Sequence, residues 1–80
     1  MKLKHFERHD GYRFLLVFEN GESKEIDLEK LIGQFVQPSD VNTARIDAEW
    51  GCLEFMEGAV DIEPKTLYSF ATDEHHQVAA

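Results

Sequence analysis

The histidines near the start of this sequence are candidates for metal binding. His5, Glu7 and His9 alternate along a segment typical of a strand, so they would share one face and form a weak surface metal site. A zinc-protease helix needs glutamate directly after the first histidine, where Phe6 stands. Two side chains from one strand rarely close a coordination sphere without a ligand from elsewhere. We therefore expect no metal and no other cofactor, and keep the three residues as weak candidates.

The other reactive side chains lack the neighbours that catalysis requires. Cys52 follows a predicted turn in an acidic region, which would raise the thiol pKa and favours a small core residue. No serine stands in a G-x-S-x-G turn with a histidine placed as its base. Asp61 and Glu63 could share a face like glycosidase carboxylates, but 80 residues leave little material for a cleft between them. We expect a protein that is not an enzyme.

Trp50 is the most informative side chain for binding. It stands beside Gly51 at a predicted hairpin turn, where an exposed tryptophan is typical of an interface anchor. The ring could equally fold back as a lid over the small core, and both alternatives stay open here. Four further residues complete the candidate interaction set: Glu49, Glu57, Asp61 and Tyr68.

Charge is distributed unevenly along the chain, whose net charge is −8. Residues 1–13 carry four basic and two acidic side chains, whereas residues 46–80 carry one basic and eight acidic ones. A negative field repels nucleic acid and anionic membranes, so we expect neither as a direct partner. A basic protein would meet the C-terminal half most favourably, although an acidic surface can also serve solubility alone.

Length and composition predict one small domain. Eighty residues with 42% hydrophobic side chains can bury a single modest core. The lone cysteine excludes an internal disulfide, no apolar run approaches transmembrane length, and the first residues lack a signal-peptide core. We expect a cytoplasmic protein with one domain over residues 1–71 and a frayed tail over residues 72–80.

Alternation and turn residues predict an α+β fold built on an antiparallel β-meander of about five strands with two hairpin regions. The first region has strands at residues 3–8, 12–19 and 22–27, with tight turns at Asp10-Gly11 and Asn20-Gly21. Apolar residues on both faces of the second strand predict that it is covered on both sides.

The second half of the chain is predicted to contain two helices and a second hairpin. Asp27 caps a short central helix over residues 28–32, and the loop that follows is anchored by Phe35 and Val36. Strands are expected at residues 43–49 and 52–56. Glu63 and Pro64 open a C-terminal helix, whose inward stripe consists of three residues: Leu67, Phe70 and Ala71.

The ordered set of these segments resembles a bacterial family known as domain of unknown function 2442. The resemblance runs from Tyr12 to Phe70 through YRFLLVFENGESKEIDL, ARIDAEWGCLEF and GAVDIEPKTLY. The family's last part reads as an aromatic, a polar-Gly turn, an acid, a proline and a Leu-Tyr pair, here Phe55, Glu57-Gly58, Asp61, Pro64 and Leu67-Tyr68. Phe55 departs from the more frequent tryptophan, and the spacing from Gly58 to Asp61 is one residue longer.

The resemblance implies a small α+β domain and supplies no established catalytic residues. Some relatives look like the N-terminal part of a longer chain with a helix-turn-helix, for which these 80 residues have no room. Others look like small partners encoded beside short, basic toxin-like proteins. Our hypothesis is that the protein is a non-enzymatic interaction module, an adaptor or antitoxin-like partner of a basic protein. A homodimer is consistent with this hypothesis. The alternatives are a small-molecule or metal-binding regulatory domain and a transcription-linked domain.

Overall fold

The computed structural model describes residues 2–72, and this part of the chain forms two three-stranded antiparallel sheets, two α-helices and a 3₁₀ helix. The first sheet has the order β1 (Leu3–Arg8), β2 (Arg13–Phe18), β3 (Ser23–Asp27). The second has the order β4 (Arg45–Ile46), β5 (Leu53–Phe55), β6 (Val60–Ile62). The connection between the sheets contains α1 (Glu29–Ile32) and a 3₁₀ helix (Pro38–Thr43), and the chain continues into α2 (Pro64–Thr72). The α+β class is confirmed, but the single meander of about five strands is wrong: six strands form two sheets.

The first sheet is the predicted meander. Its inward row on β2 consists of fully buried side chains: Phe14, Leu16 and Phe18. Leu15 and Val17, on the opposite face, are only half-buried. The expectation that β2 is covered on both sides is therefore wrong on the outer face, because an antiparallel sheet can leave one face in contact with water.

The second hairpin differs from its prediction in length and in number of strands. The strand predicted over residues 43–49 shortens to β4, since residues up to Thr43 form a 3₁₀ helix and residues from Asp47 on form a turn. The strand predicted over residues 52–56 shortens to β5, and β6 was not predicted at all. A three-residue strand shows no periodicity, so β6 exists through its pairing with β5.

The C-terminal helix begins at Pro64 as the sequence predicts, whereas α1 begins at Glu29, one residue later than predicted, with Leu28 rather than Asp27 at its N-cap. The Asp27 carboxylate accepts the Glu29 N–H at 2.9 Å, which satisfies a free donor in the first turn of α1. Pro64 is the first residue of α2, and the helix buries Leu67 and Ala71, whereas Phe70 of the predicted stripe is only half-buried. Thr72, predicted to belong to the tail, is the last residue of α2; the rest of that predicted tail, residues 73–80, lies outside the described residues.

One shared core lies between the sheets and the helices. The connection between the sheets supplies four fully buried or nearly fully buried side chains: Leu28, Ile32, Val36 and Val41. Val36 is the anchor expected from the sequence, whereas Phe35 is 64% exposed, so its prediction as an anchor is wrong. The Phe35 N–H bonds to the Ile32 carbonyl at 2.8 Å in a tight turn that directs only Val36 into the core. No helix within residues 2–72 is long and apolar enough to cross a membrane.

Candidate protein-interaction surface

Trp50 lies in the short connection between β4 and β5, and its residue surface is 64% exposed. The lid alternative is therefore excluded. The connection is folded by Asp47, whose carboxylate accepts the Glu49 N–H at 2.9 Å and the Trp50 N–H at 3.5 Å. The Asp47 carbonyl accepts the Gly51 N–H at 2.7 Å. Because these bonds form within a few residues, the loop has a defined shape that presents the indole outward.

The start of the chain holds this loop from the side. The Lys2 ammonium donates to the Glu49 carbonyl at 3.0 Å, and the Leu3 N–H donates to the Gly51 carbonyl at 3.2 Å. Gly51 has a φ of +73°, and a Cβ there would lie 2.5 Å from the Lys2 Cβ. Only glycine allows the two segments to approach this closely. The Trp50 loop is thus fixed against β1.

Carboxylates converge beside this loop around Cys52. The thiol is buried, and burial raises its pKa, with further increases from the charges of four neighbouring carboxylates: Asp61, Asp47, Glu63 and Glu54. The predicted direction of the shift and the core position of Cys52 are both confirmed. The sequence spreads these four acids over 17 residues, and the second sheet gathers them. We refer to Trp50, Glu49, Asp47, Asp61 and Glu63 as the Trp50 surface.

The charge of one of these four carboxylates, that of Glu54, is balanced by an arginine of the same sheet. Arg45, Glu54 and Asp61 stand opposite one another on β4, β5 and β6, so their side chains form a row on one face of the second sheet. The Arg45 guanidinium donates to the buried Glu54 carboxylate. Asp61 is exposed. The negative charge available to a partner is therefore that of Asp61 and its exposed neighbours rather than that of Glu54.

Glu57 and Tyr68, the two other candidates, lie in different surroundings. Glu57 is exposed in the turn between β5 and β6, at the opposite end of β5 from Trp50. Tyr68 is half-buried, and its ring meets that of Phe18 edge to face with centroids 5.0 Å apart. Its hydroxyl donates to Glu22 at 2.6 Å, which links α2 to the turn between β2 and β3. Tyr68 therefore stabilises the fold and lies outside the Trp50 surface.

The bond between Tyr68 and Glu22 changes the acidity of both groups. The Tyr68 hydroxyl, with help from the Asn20 amide, lowers the pKa of Glu22. The carboxylate in turn raises the pKa of Tyr68, because a negative acceptor favours the neutral phenol. No sequence pattern indicated Glu22, which lies 46 residues before its partner.

His5 and Glu7 lie two apart on β1, and His9 follows directly after the strand, but the three do not assemble into a metal site. The Nε2 atoms of His5 and His9 lie 3.9 and 3.8 Å from the Glu7 carboxylate, and His9 Nδ1 lies 2.8 Å from Glu25 Oε2. Within residues 2–72, no three His, Cys, Asp or Glu side chains are grouped so that they could hold a metal ion. The metal-binding alternative therefore finds no donor set in this part of the chain.

A groove between α1 and α2 is a feature that the sequence did not indicate. It is open to solvent and has a volume of about 790 Å³. Its lining residues come from the two helices: Lys30, Leu31, Lys65, Thr66, Ser69 and Phe70. The two sets of residues are more than 30 positions apart in sequence, so only the packing of the helices brings them together.

These features define a small α+β domain with an acidic surface that carries an exposed tryptophan. The chain belongs to the family described as Protein of unknown function (DUF2442), whose model matches residues 5–73. The family assignment made from the ordered motifs is thereby confirmed. Neither a curated protein nor a solved structure matches the chain.

Proposed function

We propose that this protein is a non-enzymatic interaction module that binds a basic protein through the Trp50 surface. The observation that carries the proposal is the 64% exposure of Trp50 on a loop bordered by carboxylates. Large aromatic side chains supply much of the binding energy at protein interfaces, because they bury a large area with few rotatable bonds. Carboxylates around such an anchor steer a cationic partner and set its orientation.

The fixed shape of the loop also supports binding. Asp47, Lys2 and Gly51 hold the loop through hydrogen bonds and close packing, so little conformational entropy is lost when a partner docks. Glu49 and Trp50 are both exposed at the tip, which places a charge and an aromatic ring side by side. A basic partner with an apolar pocket flanked by lysines or arginines fits this chemistry.

The proposal includes a biological role for this module. An adaptor or an antitoxin-like protein that masks a basic partner in the cytoplasm would need such a surface and no catalytic group. Self-association into a homodimer is compatible with it. The transcription-linked alternative finds less support, because a net charge of −8 repels the phosphates of nucleic acid.

The test is affinity capture from the native cell lysate with the full-length wild-type chain, Trp50→Ala and Phe35→Ala. Phe35 is a matched control, since it is also an aromatic residue at 64% exposure, in a different connection. We expect the wild type and Phe35→Ala to recover a basic protein in stoichiometric amount at low salt. Trp50→Ala should recover much less, and raised salt should weaken capture by all three.

Two outcomes would contradict the proposal. One is the absence of any stoichiometric partner at low salt; the other is equal capture by Trp50→Ala and the wild type. Light scattering on the purified chain distinguishes a monomer, which has a mass of 9.2 kDa, from a homodimer of twice that mass.

A further inference from the structure

We propose that the groove between α1 and α2 binds a short acidic segment of a partner protein, in which apolar side chains are flanked by carboxylates. The groove shares no residue with the Trp50 surface, so this inference is independent of the proposed function. It assigns a second ligand class, of opposite charge, to the groove between the two helices.

The groove has the size of a binding site and a lining that combines two apolar side chains with four polar ones. Its volume of about 790 Å³ lies within the range of roughly 300–1,000 Å³ that ligand sites occupy. Leu31 of α1 and Phe70 of α2 are half-buried, so each keeps apolar surface that faces solvent. Because the groove is open rather than enclosed, it would leave much of a small molecule in water and suits a segment of chain laid along it.

Phe35 adds a further exposed aromatic side chain in the connection that follows α1. The Gly33 N–H bonds to the Glu29 carbonyl at 2.7 Å, so the helical turn continues past the end of α1. Phe35 follows the last residue of α1 by three positions and does not itself line the groove. At 64% exposure, Phe35 offers an aromatic face that the domain itself does not use.

Two ammonium groups give the groove a local positive charge. Lys30 and Lys65 stand on opposite walls, both are exposed, and within residues 2–72 neither forms an ion pair. They lie in a chain of net charge −8, so the groove is a local reversal of the overall field. The hydroxyls of Thr66 and Ser69, which also line it, can donate to a carboxylate.

The reach of electrostatic forces favours a short peptide over a larger polyanion. At physiological ionic strength, charges are screened beyond about 8 Å, so two carboxylates in the groove respond mainly to Lys30 and Lys65. A nucleic acid or an anionic membrane presents many charges over a wide area and meets the whole acidic surface. The occupant is therefore a protein segment with few charges, placed beside apolar side chains.

The test is an NMR titration of the ¹⁵N-labelled full chain at low salt with a synthetic peptide that carries Leu and Phe between glutamates. The matched peptide has glutamine in place of each glutamate. The test variant is Lys30→Gln with Lys65→Gln, and the control variant is Lys4→Glu, at an exposed position on β1. Each variant lowers the net charge of −8 by two, to −10, so only the location of the lost charge differs.

We expect amide shifts at the groove residues, with affinity about tenfold weaker for the double lysine variant and changed less than twofold for Lys4→Glu. The glutamine peptide should also bind about tenfold more weakly. Shifts confined to the Trp50 loop, the absence of shifts at about millimolar peptide, or equal binding of both peptides would overturn the proposal. So would groove shifts produced by anionic lipid vesicles and not by the peptide. Retained spectral dispersion in each variant confirms that it is folded.

Discussion

The ring of Phe14 on β2 meets the ring of Phe55 on β5 edge to face, with centroids 6.1 Å apart and ring planes at 84°. Both rings are fully buried. This contact joins the two sheets directly, since one ring belongs to each. The domain therefore has one core rather than two, and the Trp50 surface on the second sheet depends on the packing of the first.

Phe55→Ala should destabilise the whole domain and not the second sheet alone. Loss of a buried phenylalanine ring costs about 3–5 kcal/mol, a large share of the roughly 4–12 kcal/mol expected for 80 residues. Urea unfolding followed by far-UV circular dichroism measures the change, with Phe35→Ala as an exposed control expected to change stability by less than about 0.5 kcal/mol. Hydrogen exchange that stays slow in β1–β3 of Phe55→Ala would show that the sheets unfold independently.

The pair of Arg45 and Glu54 should respond asymmetrically to substitution. Arg45→Gln leaves a buried carboxylate beside Asp61 without its cation, and we expect a loss of about 1–2 kcal/mol, reduced because the Arg45 side chain is 57% exposed. Glu54→Gln keeps a hydrogen-bond acceptor and removes a negative charge, so the loss should be about 0.5–1 kcal/mol. Urea unfolding of the two variants provides the comparison. A larger loss for Glu54→Gln would mean that the charge of Glu54 is itself stabilising.

The bond between Tyr68 and Glu22 should make stability depend on pH at both ends of the scale. The folded-state pKa of Glu22 is lowered, so its contribution is complete above the ordinary glutamate value of about 4.3 and is lost as the pH falls through the folded value. The pKa of Tyr68 is raised, so its contribution is complete below about 10 and is lost as the pH rises through the folded value.

Tyr68→Phe isolates this bond, because it removes the hydroxyl and keeps the ring against Phe18. We expect a melting temperature below that of the wild type at pH 7, with a difference that shrinks at acid pH and again at strongly alkaline pH. Thermal unfolding of the wild type and the variant from pH 3 to 11 measures this difference in melting temperature. Glu22→Gln should also have a melting temperature below that of the wild type at pH 7. A difference that is constant across this range would show that the hydroxyl acts without its carboxylate partner.

Gly51→Ala should distort the Trp50 loop as well as destabilise the fold. The φ of +73° disfavours any side chain, and the added methyl would lie 2.5 Å from the Lys2 Cβ, so we expect a loss of about 2–3 kcal/mol. Gly11→Ala is the matched control, since Gly11 has a φ of +56° and an added methyl there would meet no atom within 4 Å, and it should cost about 1 kcal/mol. Urea unfolding gives both values, and capture of the basic partner should fall only for Gly51→Ala. Equal losses of unfolding free energy in the two variants would show that Lys2 moves away from the added methyl at no energetic cost.

The parts of the fold that the sequence predicts are held by short-range interactions. β1 spans Leu3–Arg8 as expected, the Asn20 side chain accepts the Glu22 N–H at 3.0 Å inside the predicted turn, and Pro64 opens α2. The turn and the helix start depend on residues within a few positions of one another, and β1 pairs with the next strand along the chain. The exposure of Trp50, in contrast, depends on Lys2 and Leu3, which lie almost 50 positions away.

The α+β class, the first sheet, the start of α2, the uneven charge and the family can all be predicted from the amino-acid sequence, because propensity, turn chemistry and charge are local properties of the chain. The folded arrangement is needed to see that β6 pairs with β5, that Phe35 faces solvent, and that two lysines from different helices line one groove. Pairing and burial join residues that are distant in sequence, and no local pattern encodes which of them meet.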